Sequence, residues 1–169
     1  MITAAVYSAG PTLIDRWKGG YGIGICVNGA SLIVPQREWQ WLCCADLDCF
    51  AEESPYPTPS VGCFAMFAGK IPVGRRFVTK DWRTHLTVPW LAAGARPTYT
   101  VSMALALAHC LGADVIDLYG HDGMVGRTNC EGKTDPAYLY TESRAAREAE
   151  ELRQVQNYLA LHHVTVVRK

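Results

Sequence analysis

No net charge, no paired-cysteine motif and no long apolar run are found in this chain. Its 169 residues balance 16 Lys and Arg against 16 Asp and Glu. The whole molecule therefore exerts no general attraction on nucleic acid or an anionic membrane. The one basic cluster, Arg75, Arg76, Lys80 and Arg83, reads as a solvated loop. Seven cysteines occur, an odd number, and none lies in a CxxC pair. That argues against a disulfide framework and for reduced thiols acting as small core residues. Cys43 and Cys44 would point to opposite faces of a strand, which disfavours a shared metal. No stretch approaches the roughly 18 apolar residues needed to span a bilayer. The Met1–Val6 start carries no basic region before its apolar run, so no signal peptide is expected. The expectation is a soluble, cytoplasmic protein. A homo-oligomer is compatible with the sequence.

What is present suits a folded core. Apolar residues make up 49% of the chain and charged residues 19%, a balance unlike that of disordered segments. The length fits one domain over 1–169. Apolar runs at 2–8, 23–27 and 41–45 read as buried strands, with weaker candidates at 62–67 and 76–79. A short helix is expected through Leu13, Ile14 and Trp17, ending at Gly19-Gly20, with Pro11 in its first turn. Three prolines make 54–60 a loop. Residues 99–111 form an Ala/Leu-rich helix that Gly112 closes. Val115–Tyr119 reads as a strand buried on both faces and 164–167 as the closing strand. Residues 142–161 carry Ala145, Ala149, Leu152, Val155 and Leu159 at helical spacing. Strands alternating with helices predict an α/β, Rossmann-like fold: a mainly parallel sheet with helices on both faces.

In such sheets ligands bind at the C-terminal ends of the strands. Small and hydroxylated residues gather at those positions. Gly10-Pro11-Thr12 follows the first strand, where turn N–H groups can face a phosphate; an ordinary strand-to-helix turn has the same appearance. Asn28-Gly29 follows the second strand. Its amide can read a base edge or a ribose hydroxyl, and Asn-Gly is also a common turn dipeptide. Asp46-Leu47-Asp48 follows the third strand. The spacing fits a divalent ion against a diphosphate, or helix capping and exposed acidic residues. Thr98, Thr100 and Ser102 cluster at a helix start, where capping needs one hydroxyl. The tryptophans Trp39, Trp41, Trp82 and Trp90 suit a core or a stacking surface.

The ordered motifs Gly10-Pro11-Thr12-Leu13, Cys26-Val27-Asn28-Gly29, Ala45-Asp46, Pro97-Thr98 and Leu118-Tyr119-Gly120-His121-Asp122 resemble the bacterial sialyltransferase fold. Relatives of that fold include the motility-accessory glycosyltransferases. The resemblance implies a cleft for a nucleotide or nucleotide sugar, which enters as substrate, with no separate cofactor and no metal. Gly10, Pro11 and Thr12 would lie near phosphate or ribose, Asn28 near the nucleotide or sugar, and Thr98 with its neighbours along the same cleft. A lid over about 123–140 would bring Tyr138 and Tyr140 to the leaving phosphate. The chain has no histidine between Asp122 and His162, so the family's base has no counterpart there. His121 and Asp122, at a strand end, are the candidate bases for an acceptor hydroxyl. Three functions stay open: glycosyl transfer from a nucleotide sugar, nucleotide binding without transfer in a sequestering or regulatory role, or a structural or interaction protein that keeps the fold without the site. The hydroxyl and Asn positions argue against the third.

Overall fold

The computed structural model describes residues 1–44, 56–57, 62–64, 99–122, 129–130, 132 and 141–169. The expected strand at 76–79, most of the 54–60 loop and most of 123–140 lie outside them.

Short runs of small and β-branched residues form the strands. β1 (Thr3–Tyr7), β2 (Ile23–Val27) and β5 (Val115–Tyr119) are each buried at every position but the first. Burial on both faces marks central strands of a parallel sheet. β3 is Trp41–Cys43, β4 is Gly62–Phe64 and β6 is Thr165–Arg168. All six pair in parallel, in the order β4-β3-β2-β1-β5-β6. The chain moves outward from β1 to β4, then crosses back to set β5 on the other side of β1. The β1–β5 boundary is therefore the topological switch point.

Alternate residues feed two cores. On the first face Ala4, Val6, Ile25, Val27, Cys43, Ile116 and Leu118 meet α2 (Thr100–Cys110) and α3 (Glu142–Leu161). Helix α2 is buried without a break from Val101 to Ala108. A helix apolar on all sides belongs in an interior. Gly112, φ +88°, ends its approach with a left-handed turn. On the second face Ala5, Tyr7, Cys26, Leu42, Cys44 and Tyr119 meet Leu13 of α1 (Leu13–Arg16), together with Ala30, Val34 and Trp39. Helices thus cover both faces, and Cys43 and Cys44 do fall on opposite ones.

Three expectations are corrected. Helix α1 stops at Arg16, short of Gly19, because Trp17 already has extended ψ (144°). Residues Asn28–Leu32 form a 3-10 helix, not a plain turn. In α3, Ala149 is exposed and Glu148 half-buried. The line facing the sheet runs 145, 148, 152, 155, 159, and position 149 sits about 100° away from 148.

Candidate functional site

The register brings distant turns to one level. Cys26 pairs with Tyr7, and Tyr7 pairs with Tyr119. The segments that follow, beginning at Asn28, Ser8 and Gly120, therefore leave the sheet at its C-terminal edge.

At the switch point the turns after β1 and β5 fit closely together. The Gly10 N–H donates to Gly120 O at 2.8 Å, and the Ser8 N–H donates to Tyr119 O at 2.9 Å. A Cβ on Gly10 would run into Gly120 O and lie 2.6 Å from Asp122 Oδ2. A Cβ on Gly120, whose φ is +66°, would run into Ser8 O. These two glycines are needed so that two backbones can touch. Asp122 then reaches over the joint. Its Oδ2 accepts the Thr12 N–H at 3.0 Å, and the Thr12 hydroxyl lies 2.6 and 2.7 Å from its two oxygens.

Three N–H groups of the turn can therefore be accounted for individually. Gly10 N–H is bound to Gly120, Thr12 N–H to Asp122, and Leu13 N–H to Gly10 O at 3.1 Å. Pro11 has none. The groups expected to face a phosphate are occupied within the protein. A phosphate placed here would also meet the Asp122 carboxylate. Two like charges 4 Å apart repel by about 1 kcal/mol in water and about 4 kcal/mol at an effective dielectric of about 20.

Asn28 is the opposite case. Its φ of 47° is left-handed, where Asn is tolerated better than most side chains. Its Oδ1 is buried and, among the described residues, meets no hydrogen-bond donor. A buried acceptor without a partner costs about 1–3 kcal/mol. A buried acceptor of this kind at a strand end, next to the switch point, calls for an explanation.

The start of α2 also reaches this edge. The Cys43 thiol donates to Thr100 O at 3.5 Å, joining β3 to the helix. Thr100 is half-buried, whereas Ser102 is 1% exposed and belongs to the helix interior. No side chain caps α2; the Tyr99 N–H instead donates to Glu151 Oε1 at 2.9 Å. A carboxylate from α3 thus sits at the positive end of α2.

His121 is half-buried beside these groups. Burial pushes its imidazole below the usual histidine range; Arg168 adds to this, while Glu148 and Asp122 pull the other way. Gly29 is buried behind Asn28. Asp46, Thr98, Tyr138 and Tyr140 lie outside the described residues. From the expected lid, Cys130 is 3% exposed in the second core, and its N–H donates to Ala9 O at 2.9 Å. Trp39 is fully buried, with its indole N–H on Val34 O at 3.0 Å, and serves the core. Among the described residues no three His, Cys, Asp or Glu side chains are grouped to hold a metal.

One polar network is not anticipated by the sequence patterns above. Asp117, only 8% exposed, accepts from the Tyr21 hydroxyl at 2.6 Å and pairs with Lys169 Nζ at 3.1 Å. The Tyr21 and Tyr119 hydroxyls lie 2.6 Å apart, and the Tyr119 ring stacks on Tyr7 at 5.5 Å. Burial, then the hydrogen bond to Asp117, raises the Tyr21 phenol well above its ordinary range. The signal was an acidic residue inside the apolar run Val-Ile-Asp-Leu-Tyr, since a buried carboxylate needs partners. Among the described residues no helix is long and apolar enough to cross a membrane. The chain has no significant match among family models, curated proteins or solved structures.

Proposed function

We propose that this chain binds a nucleotide or nucleotide sugar at the C-terminal edge of its sheet, over the ends of β2, β1 and β5. The observation that carries this reading is the buried, unpartnered Oδ1 of Asn28. It stands one strand away from the switch point, where ligands of open parallel sheets bind. Asp122 and His121 supply further polar groups at the same level. The reading takes residues 1–169 as one domain.

Sugar transfer to a hydroxyl acceptor is the catalytic form of this proposal. It is favoured by His121, whose burial keeps the imidazole neutral near pH 7. A neutral imidazole is the state in which it accepts a proton. Transfer would then need no metal, and Tyr138 and Tyr140 would donate to the leaving phosphate. Binding without transfer is the simpler form, and the same Asn28 supports it.

Thermal-shift screening against nucleosides, nucleotides and nucleotide sugars tests the proposal. A ligand that binds only the folded chain raises its melting temperature, by about 2.7 kcal/mol of stabilisation at 100 times its Kd. The expected result is a dose-dependent rise with at least one of these compounds, lost in Asn28→Gly. No rise with any of them, at millimolar concentration, would overturn it.

A further inference from the structure

We infer that the ligand of this edge is held by its own hydroxyl and amino donors, at Asp122 and Asn28, and not by a phosphate seated in the turn after β1. The inference rests on the binding role proposed above and specifies which part of the ligand is recognised.

Two independent observations carry it. First, the Gly10, Thr12 and Leu13 N–H groups of the β1 turn are occupied. Gly10 and Leu13 bond within the joint, Thr12 bonds Asp122, and Pro11 has no N–H. The helix start at Tyr99, on the same edge, likewise holds a carboxylate of the chain, that of Glu151. Among the described residues, these N–H groups are not open to an anion. Second, two acceptors at this edge have capacity to spare. Asn28 Oδ1 has no donor among the described residues. Asp122 receives only the N–H and hydroxyl of Thr12 among the described residues, while a carboxylate offers about four acceptor sites.

Acceptors select donors. The vicinal hydroxyls of a ribose suit a carboxylate, and the exocyclic amino group of a base suits an amide oxygen. Asn28 and the 121–122 turn follow β2 and β5, the two strands that flank β1. That arrangement suits a nucleoside laid across the end of β1, with its ribose over β5 and its base over β2. Thr12 then acts as a positioning residue, because its N–H and hydroxyl hold the Asp122 carboxylate in place before the ligand arrives. A phosphate attached to such a nucleoside would point away from the turn.

Calorimetric titration of the full chain tests this with three kinds of probe: cytidine or adenosine, the matching 5′-monophosphate, and inorganic phosphate. The nucleoside is expected to bind within tenfold of its monophosphate, and inorganic phosphate is expected not to bind. Asp122→Asn should weaken the nucleoside by about tenfold or more, the equivalent of a hydrogen bond to a charged group. A monophosphate bound more than tenfold tighter than its nucleoside, or an Asp122→Asn affinity that is unchanged or stronger, would overturn the inference. Either of those results leaves the nucleotide-binding proposal standing, because a nucleotide has still bound. No binding by any probe removes the proposal and the inference together. If Asp122→Asn does not fold, Asn28→Gly replaces it, since glycine suits the left-handed backbone there. The same tenfold loss is then expected, and unchanged nucleoside affinity counts against the inference.

Discussion

The Asp122 carboxylate accepts both the backbone N–H and the hydroxyl of Thr12, a residue 110 positions earlier in the chain. This contact closes the switch point of the sheet from inside and fixes an acidic group at the strand ends. Thr12→Val removes the hydroxyl and Asp122→Asn the charge. Each is expected to lower stability by about 1–3 kcal/mol. Because the two residues share one set of bonds, the double variant should cost less than the sum, with a coupling of at least about 0.5 kcal/mol. Urea denaturation of the four proteins measures this, and strict additivity would show that the contact contributes nothing.

The fit of Gly10 against Gly120 leads to a ranking. Gly112→Ala meets only Ile2 Cδ1 at 3.9 Å, so its cost is that of a left-handed alanine, about 1 kcal/mol. Gly120→Ala adds backbone contact with Ser8 and an approach to Leu13 Cβ of 2.9 Å. It should cost about 1–3 kcal/mol more. Gly10→Ala meets Gly120 O and should resemble Gly120→Ala. Melting temperatures of the three variants settle the order; equal losses at 112 and 120 would mean that the two turns do not touch.

Asn28 should show the signature of a residue kept for binding. Replacement by glycine suits φ +47° and removes a buried acceptor without a donor. Stability is expected to hold or rise by up to about 1 kcal/mol, while ligand affinity drops about tenfold. A loss of stability beyond about 1 kcal/mol would assign Asn28 to the fold instead.

Acid should destabilise the protein early. Burial lowers the imidazoles of both His109 and His121 below their ordinary value of 6.5. His109 also faces His162, and Tyr158 packs beside both rings. Between the lowered folded values and 6.5, the unfolded chain binds protons that the folded chain refuses. Stability is therefore full above about pH 6.5 and falls as pH drops through that value toward the folded ones. Melting temperature should decline from about pH 7 to about pH 5, and His109→Gln should flatten part of the decline. A flat profile in the unaltered protein would contradict this.

Much of the architecture was legible because its signals are local. Ile23–Val27, Val115–Tyr119 and Glu142–Leu161 have the expected bounds, each set off by glycine, aspartate or a loop. Gly10, Thr12, Asn28, His121 and Asp122 could be placed at strand ends for the same reason. Their pairings could not. That Thr12 meets Asp122 depends on β5 returning beside β1, a consequence of the crossover after β4 that no local pattern encodes. Glu148 was hidden because its charge masks its place on the buried line of α3. Asp117 was hidden because its partners, Tyr21 and Lys169, come from opposite ends of the chain.

The most direct test of the account is a map of where a ligand binds. Backbone and side-chain amide spectra of the nitrogen-15-labelled chain can be followed during titration with cytidine, adenosine and their monophosphates. The account predicts that the largest shifts fall in 8–12, 27–29 and 119–122, and that the Asn28 side-chain amide moves with them. Shifts concentrated elsewhere, such as the open groove of Gln156, Ala160 and Val164–Val166 beside β6, or no shifts at saturating ligand, would contradict it.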